Sequence, residues 1–166
     1  MTTQAPPLGT SPTLAAVEGL DLRHLCDISI DIDVQAIPSP AANRMNFALR
    51  RGAFEGDRLR GTMRSNSGDW LVLGSDNIGR IDVRSTMETE DGELIYMTNT
   101  GRIAIPEEEL GALGSGEHLS WDRLYARSAP LFETGSEKYS WLNGITTVAV
   151  NEIAIDHVDY RIFEVL

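Results

Sequence analysis

The sequence has a single cysteine among 166 residues, Cys26, so no intramolecular disulfide can staple the fold. Cations are scarce too. Lys and Arg number 14 against 25 Asp and Glu, a net charge of -11, and the field of such a chain repels phosphate backbones and anionic bilayers. No nucleic acid and no membrane partner is therefore expected. No stretch approaches the ~20 apolar residues of a membrane-spanning helix, and Met1 to Pro7 lack the basic start and apolar run of a signal peptide, so the expected location is the cytoplasm. Signature motifs are missing as well. There is no Gly-x-x-x-x-Gly-Lys-Ser/Thr phosphate loop, no Gly-x-Gly-x-x-Gly after a strand and no Gly-x-Ser-x-Gly elbow. His24, His118 and His157 are isolated in sequence, and Cys26 offers no zinc spacing. No metal and no cofactor is expected.

What remains is 42% hydrophobic and 23% charged, the balance of one globular domain. At this length folding removes roughly 70% of the unfolded surface from water, enough for a core without metal or disulfide support. Residues 1–20 are rich in Pro, Thr, Ala and Gly without a sustained period and read as an extended arm; residues 21–166 form the domain. From Cys26 the pattern changes: Cys26, Ile28, Ile30, Ile32 and Val34 alternate with Asp27, Ser29, Asp31 and Asp33, a period of two that builds a strand with one apolar face. Alternation sends the three carboxylates to solvent, where they also discourage edge-to-edge pairing.

Further strands are predicted at about 44–55, 57–64, 69–74, 77–89, 92–101, 123–133, 144–151 and 157–165. Asp91-Gly92 between two apolar runs marks a type I′ hairpin. Helix is expected only near Pro106-Glu107-Glu108-Glu109-Leu110-Gly111, where Pro opens and acids fill the first turn. The expected fold is all-β, a single antiparallel β-barrel with one or two short helical turns. A β-sandwich demands the same alternation and stays open as the alternative.

The chemically varied segment is residues 129–143, which gathers Phe132, Glu133, Tyr139, Trp141 and Asn143 around one loop. Two readings stand side by side. The residues line a site, or Tyr139 and Trp141 plug one barrel end while Asn143 and Thr134 satisfy turn amides. Parity in residues 77–89 puts Ile81, Val83 and Met87 on one face and Asp82, Arg84 and Thr86 on the other; if the outer face packs on a partner, Arg84 turns inward with Asp82. Arg84 is then either a ligand anchor, its fork suiting a carboxylate or enolate, or an ordinary ion pair with an acid such as Asp69. Asn99 shares a face with Ile95 and Met97, Tyr96 with Leu94 and Thr98. Cys26, on an apolar face, reads as a small buried hydrophobe.

Several spaced motifs carry a family likeness. They are Gly52-x-Phe54-x-Gly56 with Leu59-x-Gly61, Gly68-Asp69-Trp70, Ile81-Asp82-x-Arg84, Thr89-x-Asp91-Gly92-x-x-Ile95-Tyr96 with Asn99 and Gly101, Phe132-Glu133-Thr134, Tyr139, Trp141-Leu142-Asn143, and a final Phe163-Glu164-Val165. In this the chain resembles the DUF3237 family, also labelled UPF0311, over about residues 25–165. The resemblance implies a compact β-barrel and little about activity. Two departures stand out: Asn66-Ser67-Gly68-Asp69 replaces the usual Gly-Gly-Ala-Asp, and the segment from Pro106 to Trp121 is longer than the family pattern, as a lid at a barrel mouth would be.

Two functions of different class follow. The first is a cofactor-independent isomerase, lyase or cyclase acting on a small carbonyl-bearing or aromatic molecule. There Glu133 is the base, Tyr139 or Tyr96 the proton donor, and Asp69 an alternative base or the partner of Arg84. Arg84, Trp70, Asn99, Phe132, Trp141 and Asn143 complete the binding set. The second is a lipocalin-like protein that binds a small-molecule ligand without turning it over. A homo-oligomer with a filled barrel stays open beside both.

Overall fold

The computed structural model describes residues 19–40 and 43–166. The expected N-terminal arm, but for its last two residues, lies outside them. Nine strands follow in chain order: β1 (Leu22–Ile37), β2 (Asn43–Glu55), β3 (Arg60–Met63), β4 (Gly68–Leu73), β5 (Ile78–Thr89), β6 (Leu94–Ala104), β7 (Tyr125–Glu133), β8 (Thr147–Ala154) and β9 (His157–Val165). Every pairing is antiparallel. β1 pairs with β9 on one side and β2 on the other, which closes the sheet. β3 and β4 both lie between β2 and β5, each against a different half, and serve as one interrupted stave. The result is a closed eight-staved barrel, and the sandwich alternative falls away.

Alternation decides what enters the lumen. In β1, Cys26, Ile28 and Ile32 are buried, while Asp27, Asp31 and Asp33 face out onto Arg161, His157 and Arg50. Burial, with the Asp27 charge adding to it, pushes the Cys26 thiol up to about 12, so the residue is an inert hydrophobe. In β5, Ile81, Val83, Ser85 and Met87 point inward. Arg84 points outward, 51% exposed and 2.9 Å from Asp82, which corrects the arrangement in which it would reach a ligand in the lumen.

The two barrel ends differ. At the end where β2, β5 and β7 finish, Leu142 and Tyr139 close the lumen against Phe54, Leu59, Met87 and Phe132. They come from a turn of 3-10 helix at Ser140–Gly144 that the sequence pattern did not announce. At the other end the chain between β6 and β7 crosses the mouth as a 3-10 turn at Glu107–Glu109 and one short helix, α1 (Leu110–Gly114). This cover is tied down by Arg123, which grips Glu109 at 3.1 Å and Glu117 at 2.5 Å, and by a bridge between Leu119 and Ile153. Among the described residues no helix is long and apolar enough to cross a membrane.

Barrel closure demands close approach at β3. A Cβ on Gly61 would lie 2.0 Å from the Glu88 carbonyl oxygen and 2.7 Å from the Thr89 Cα, both backbone atoms of the neighbouring strand. Gly61→Ala should therefore destabilise the fold by about 1–3 kcal/mol, as overpacking does. Gly111→Ala, where a Cβ meets open space, should leave stability unchanged or raise it. Urea unfolding of the two variants checks this. Equal midpoints would show that β3 is free to shift.

Candidate functional site

The inward parity of β4 puts a carboxylate where the lumen is apolar. Asp69, Leu71 and Leu73 share the inner face, and Trp70 between them faces out, 44% exposed. A chamber of about 570 Å³ opens at the covered mouth, walled by Val34, Met45, Phe47, Leu71, Leu73 and Ile103 with Leu110 and Leu113 from the cover. Beneath it lies a small void of about 30 Å³ lined by Ile30, Leu49, Val83, Ser85 and Tyr160. Asp69 and Phe47 border both spaces, so the carboxylate stands at the throat.

The electrostatics of Asp69 follow from that position. Burial pushes its carboxyl up to about 6; the Asp82 backbone N–H, donating to Oδ1 at 2.9 Å, opposes the rise, and the Asp82 charge adds to it. Oδ2 accepts no hydrogen bond from any described residue. Among the described residues no cation answers the charge: both arginines of β5 are turned outward, Arg80 onto Asp76 and Arg84 onto Asp82. Tyr160 on β9, in phase with Ile162, is buried at the same void. Its phenol is held above the usual range, first by burial and then by the Asp69 charge, so it stays protonated and able to donate.

A second polar group is buried without a partner. Asn99 on β6 is fully buried, and neither its amide nitrogen nor its oxygen meets a hydrogen-bonding atom. It pairs with Val83, which pairs in turn with Asp69. Two strand spacings separate them, about 10 Å along the wall. A buried amide with both ends unmet costs about 1–3 kcal/mol for each group, and such a group calls for an explanation beyond folding. Asn151 and Ser128 extend this inward polar row and bond to each other at 3.3 Å.

The structure distributes the expected site residues over three places. Asp69 and Asn99 face the lumen. Arg84, Trp70 and Tyr96 lie on the outer surface, with Arg84 6.0 Å from the Trp70 ring and Tyr96 39% exposed opposite Glu133, itself exposed. Phe132, Tyr139, Trp141 and Asn143 build the sealed end. Tyr139 donates to Asp91 at 3.1 Å, Trp141 stacks under Arg58 at 3.9 Å, Phe132 packs in the core, and Asn143 brackets the Thr134 backbone at 2.8 and 2.9 Å. The 129–143 segment is thus a plug, the second of its two readings, and it does not meet Asp69. Its physical reason is the barrel's direction: this loop follows the end of β7, whereas the chamber opens where β7 begins. Tyr160 was missed by sequence reasoning, although its phase with Val158 and Ile162 marks it as inward.

Other concavities carry less chemistry. A groove of about 670 Å³ crosses the outer face of β1, β2, β8 and β9, where Asp27 and Arg161 pair at 2.8 Å. The three histidines gather near this face, His157 between Asp31 and Asp159 and His118 also on Asp159. Among the described residues no cluster of His, Cys, Asp or Glu is arranged to hold a metal ion.

Comparison with known proteins agrees with the barrel. A UPF0311 protein of Clostridium acetobutylicum is 31% identical over 129 residues, covering 76% of this chain and 82% of that protein. A solved structure of a conserved protein of unknown function from Rhodopseudomonas palustris superposes with a TM-score of 0.84 at 25% identity, over 90% of this chain and all of its own. An enzyme from Penicillium herquei shares the fold at a TM-score of 0.63 and 23% identity, over 92% of this chain and 100% of its own. The family described as protein of unknown function (DUF3237) matches residues 20–165, and with the whole barrel inside that match the chain belongs to it.

Proposed function

We propose that the protein is an acid–base enzyme of the isomerase, lyase or cyclase kind, acting without a cofactor on a small carbonyl-bearing or aromatic molecule in the barrel mouth. The observation that carries this reading is Asp69, a carboxyl with a free oxygen and a pKa near 6, at the throat of an apolar chamber. A carboxyl raised to about 6 is mostly ionised at neutrality and free to take a proton, yet basic enough to hold and return it, which is the requirement for a general base that must be regenerated. The Asp82 N–H fixes Oδ1 and leaves Oδ2 to face the substrate. The Tyr160 phenol donates to oxyanion charge as it develops. Such a pair cycles a proton with nothing further supplied. That a barrel of this fold in Penicillium herquei is an enzyme is compatible with the reading.

The apolar chamber also favours plain ligand binding. The two readings separate at Asp69, because a pure binder gains nothing from an uncompensated carboxylate. In deuterium oxide the protein should exchange the acidic carbon-bound protons of small enones, lactones and phenols, followed by proton NMR. Asp69→Asn should slow that exchange by roughly 10²–10⁴-fold while ligands still bind. Exchange that survives the substitution would leave binding alone.

Stability supplies an independent check. Because the folded carboxyl holds its proton more tightly than the unfolded one, the contribution of Asp69 is complete below about pH 4 and is lost as pH rises to about 6. Asp69→Asn has no charge to desolvate and should exceed the wild type by about 1–3 kcal/mol at about pH 8. A difference that does not change between about pH 4 and pH 8 contradicts the burial of that charge. Asn99→Leu, which removes two unmet polar groups, should keep or raise the urea midpoint. A large loss of stability would show that Asn99 is structural.

A further inference from the structure

The chamber's charge pattern says what kind of molecule fits. Its wall is largely aliphatic, with Phe47 and the uncharged polar Asn77 as exceptions, and the charged side chains on it, Asp69 and Glu107, are both acids. Among the described residues no Arg, Lys or His lines it. The rim repeats the sign, since Glu107, Glu108, Glu109 and Glu117 lie on the cover, and Arg123, which reaches toward it, is spent on Glu109 and Glu117. The volume, about 570 Å³, lies within the roughly 300–1,000 Å³ of pockets that enclose small organic ligands.

We infer that the mouth selects uncharged, largely hydrocarbon molecules and excludes anions, so that the substrate carries a hydroxyl or carbonyl as its one polar group and no carboxylate or phosphate. This rests on the proton-transfer reading of Asp69 and narrows it. An anion entering the chamber leaves its hydration behind and finds no cation, while the throat already holds a carboxylate. Rejection by an unmatched like charge is a recognised route to selectivity. A cation fares differently but no better for turnover: paired with Asp69, it would hold that group ionised and withdraw it from proton transfer. A neutral ring compound pays neither penalty, buries its faces against Leu71, Ile103 and Leu113, and directs one oxygen toward the throat.

Two naphthalene ligands that differ chiefly in charge test this with the full chain: naphthylmethanol and naphthoate, titrated by calorimetry. At about pH 8 naphthylmethanol should bind at least tenfold more tightly than naphthoate. The gap should narrow several-fold at about pH 5, where Asp69 is protonated, and should lose its pH dependence in Asp69→Asn. Leu110→Asp, an exposed cover residue on the chamber wall, should weaken naphthylmethanol binding several-fold without lowering the melting temperature. Equal affinity for alcohol and carboxylate, or no binding of the alcohol, overturns the proposal. Neither of those results touches the deuterium-exchange comparison, by which the proton-transfer reading stands or falls.

Discussion

The double pairing of β1, with β9 along one edge and β2 along the other, is the seam on which this molecule depends. Without it the sheet has two open edges and no lumen. With it, every strand must divide its residues between an inside and an outside, and a period of two becomes an assignment of each side chain to water or to the interior. Closure also makes the two ends unequal. One is filled by Tyr139 and Leu142, held from behind by the Asp91 carboxylate that Thr89, Lys138 and Tyr139 share. The other is roofed but not filled, and the volume left there is the chamber.

An interior built this way sets a high threshold for polar groups, and the exceptions stand out. Most inward positions are Ile, Val, Leu, Met or Phe. Ser128 and Asn151 satisfy each other, and Thr147 is satisfied by the Pro130 carbonyl, where proline leaves the β7 backbone without a donor. Asp69 and Asn99 are not compensated in this way. One backbone N–H supports Asp69, and nothing supports Asn99. A fold that tolerates both gives up stability along the lumen wall.

Much of the architecture was legible because alternation is a direct imprint of the pleat. Cys26, Ile28 and Ile32 against Asp27, Asp31 and Asp33 carry the barrel in the sequence itself, as does the hairpin at Asp91-Gly92, although its turn is not the expected type I′: only Gly92 takes a positive φ, +85°, and Asp91 does not. The site was less legible. Chemical variety drew attention to residues 129–143, and variety does not tell a plug from a pocket, because parity assigns a face but not which end is left open. Arg84 was ambiguous for a related reason: its face is outward only if Ile81 and Val83 fill the lumen, which closure decides. The signal for the throat was present in Asp69, an acid in phase with Leu71 and Leu73, and in Tyr160, in phase with Ile162. Only the register across β2, β4 and β5 shows that the acid stands beside Phe47 at the mouth rather than on a solvated edge.

The account turns on the state of one carboxyl. The most direct measurement is a carbon-13 NMR titration of the Asp side-chain carboxyls, with the Asp69 resonance assigned by its disappearance in Asp69→Asn. A midpoint near 6, well above the roughly 4 of an exposed aspartate, is the result expected from burial at the throat. A midpoint at or below that ordinary value would mean that the carboxylate is solvated or paired, and would contradict the role given to it here.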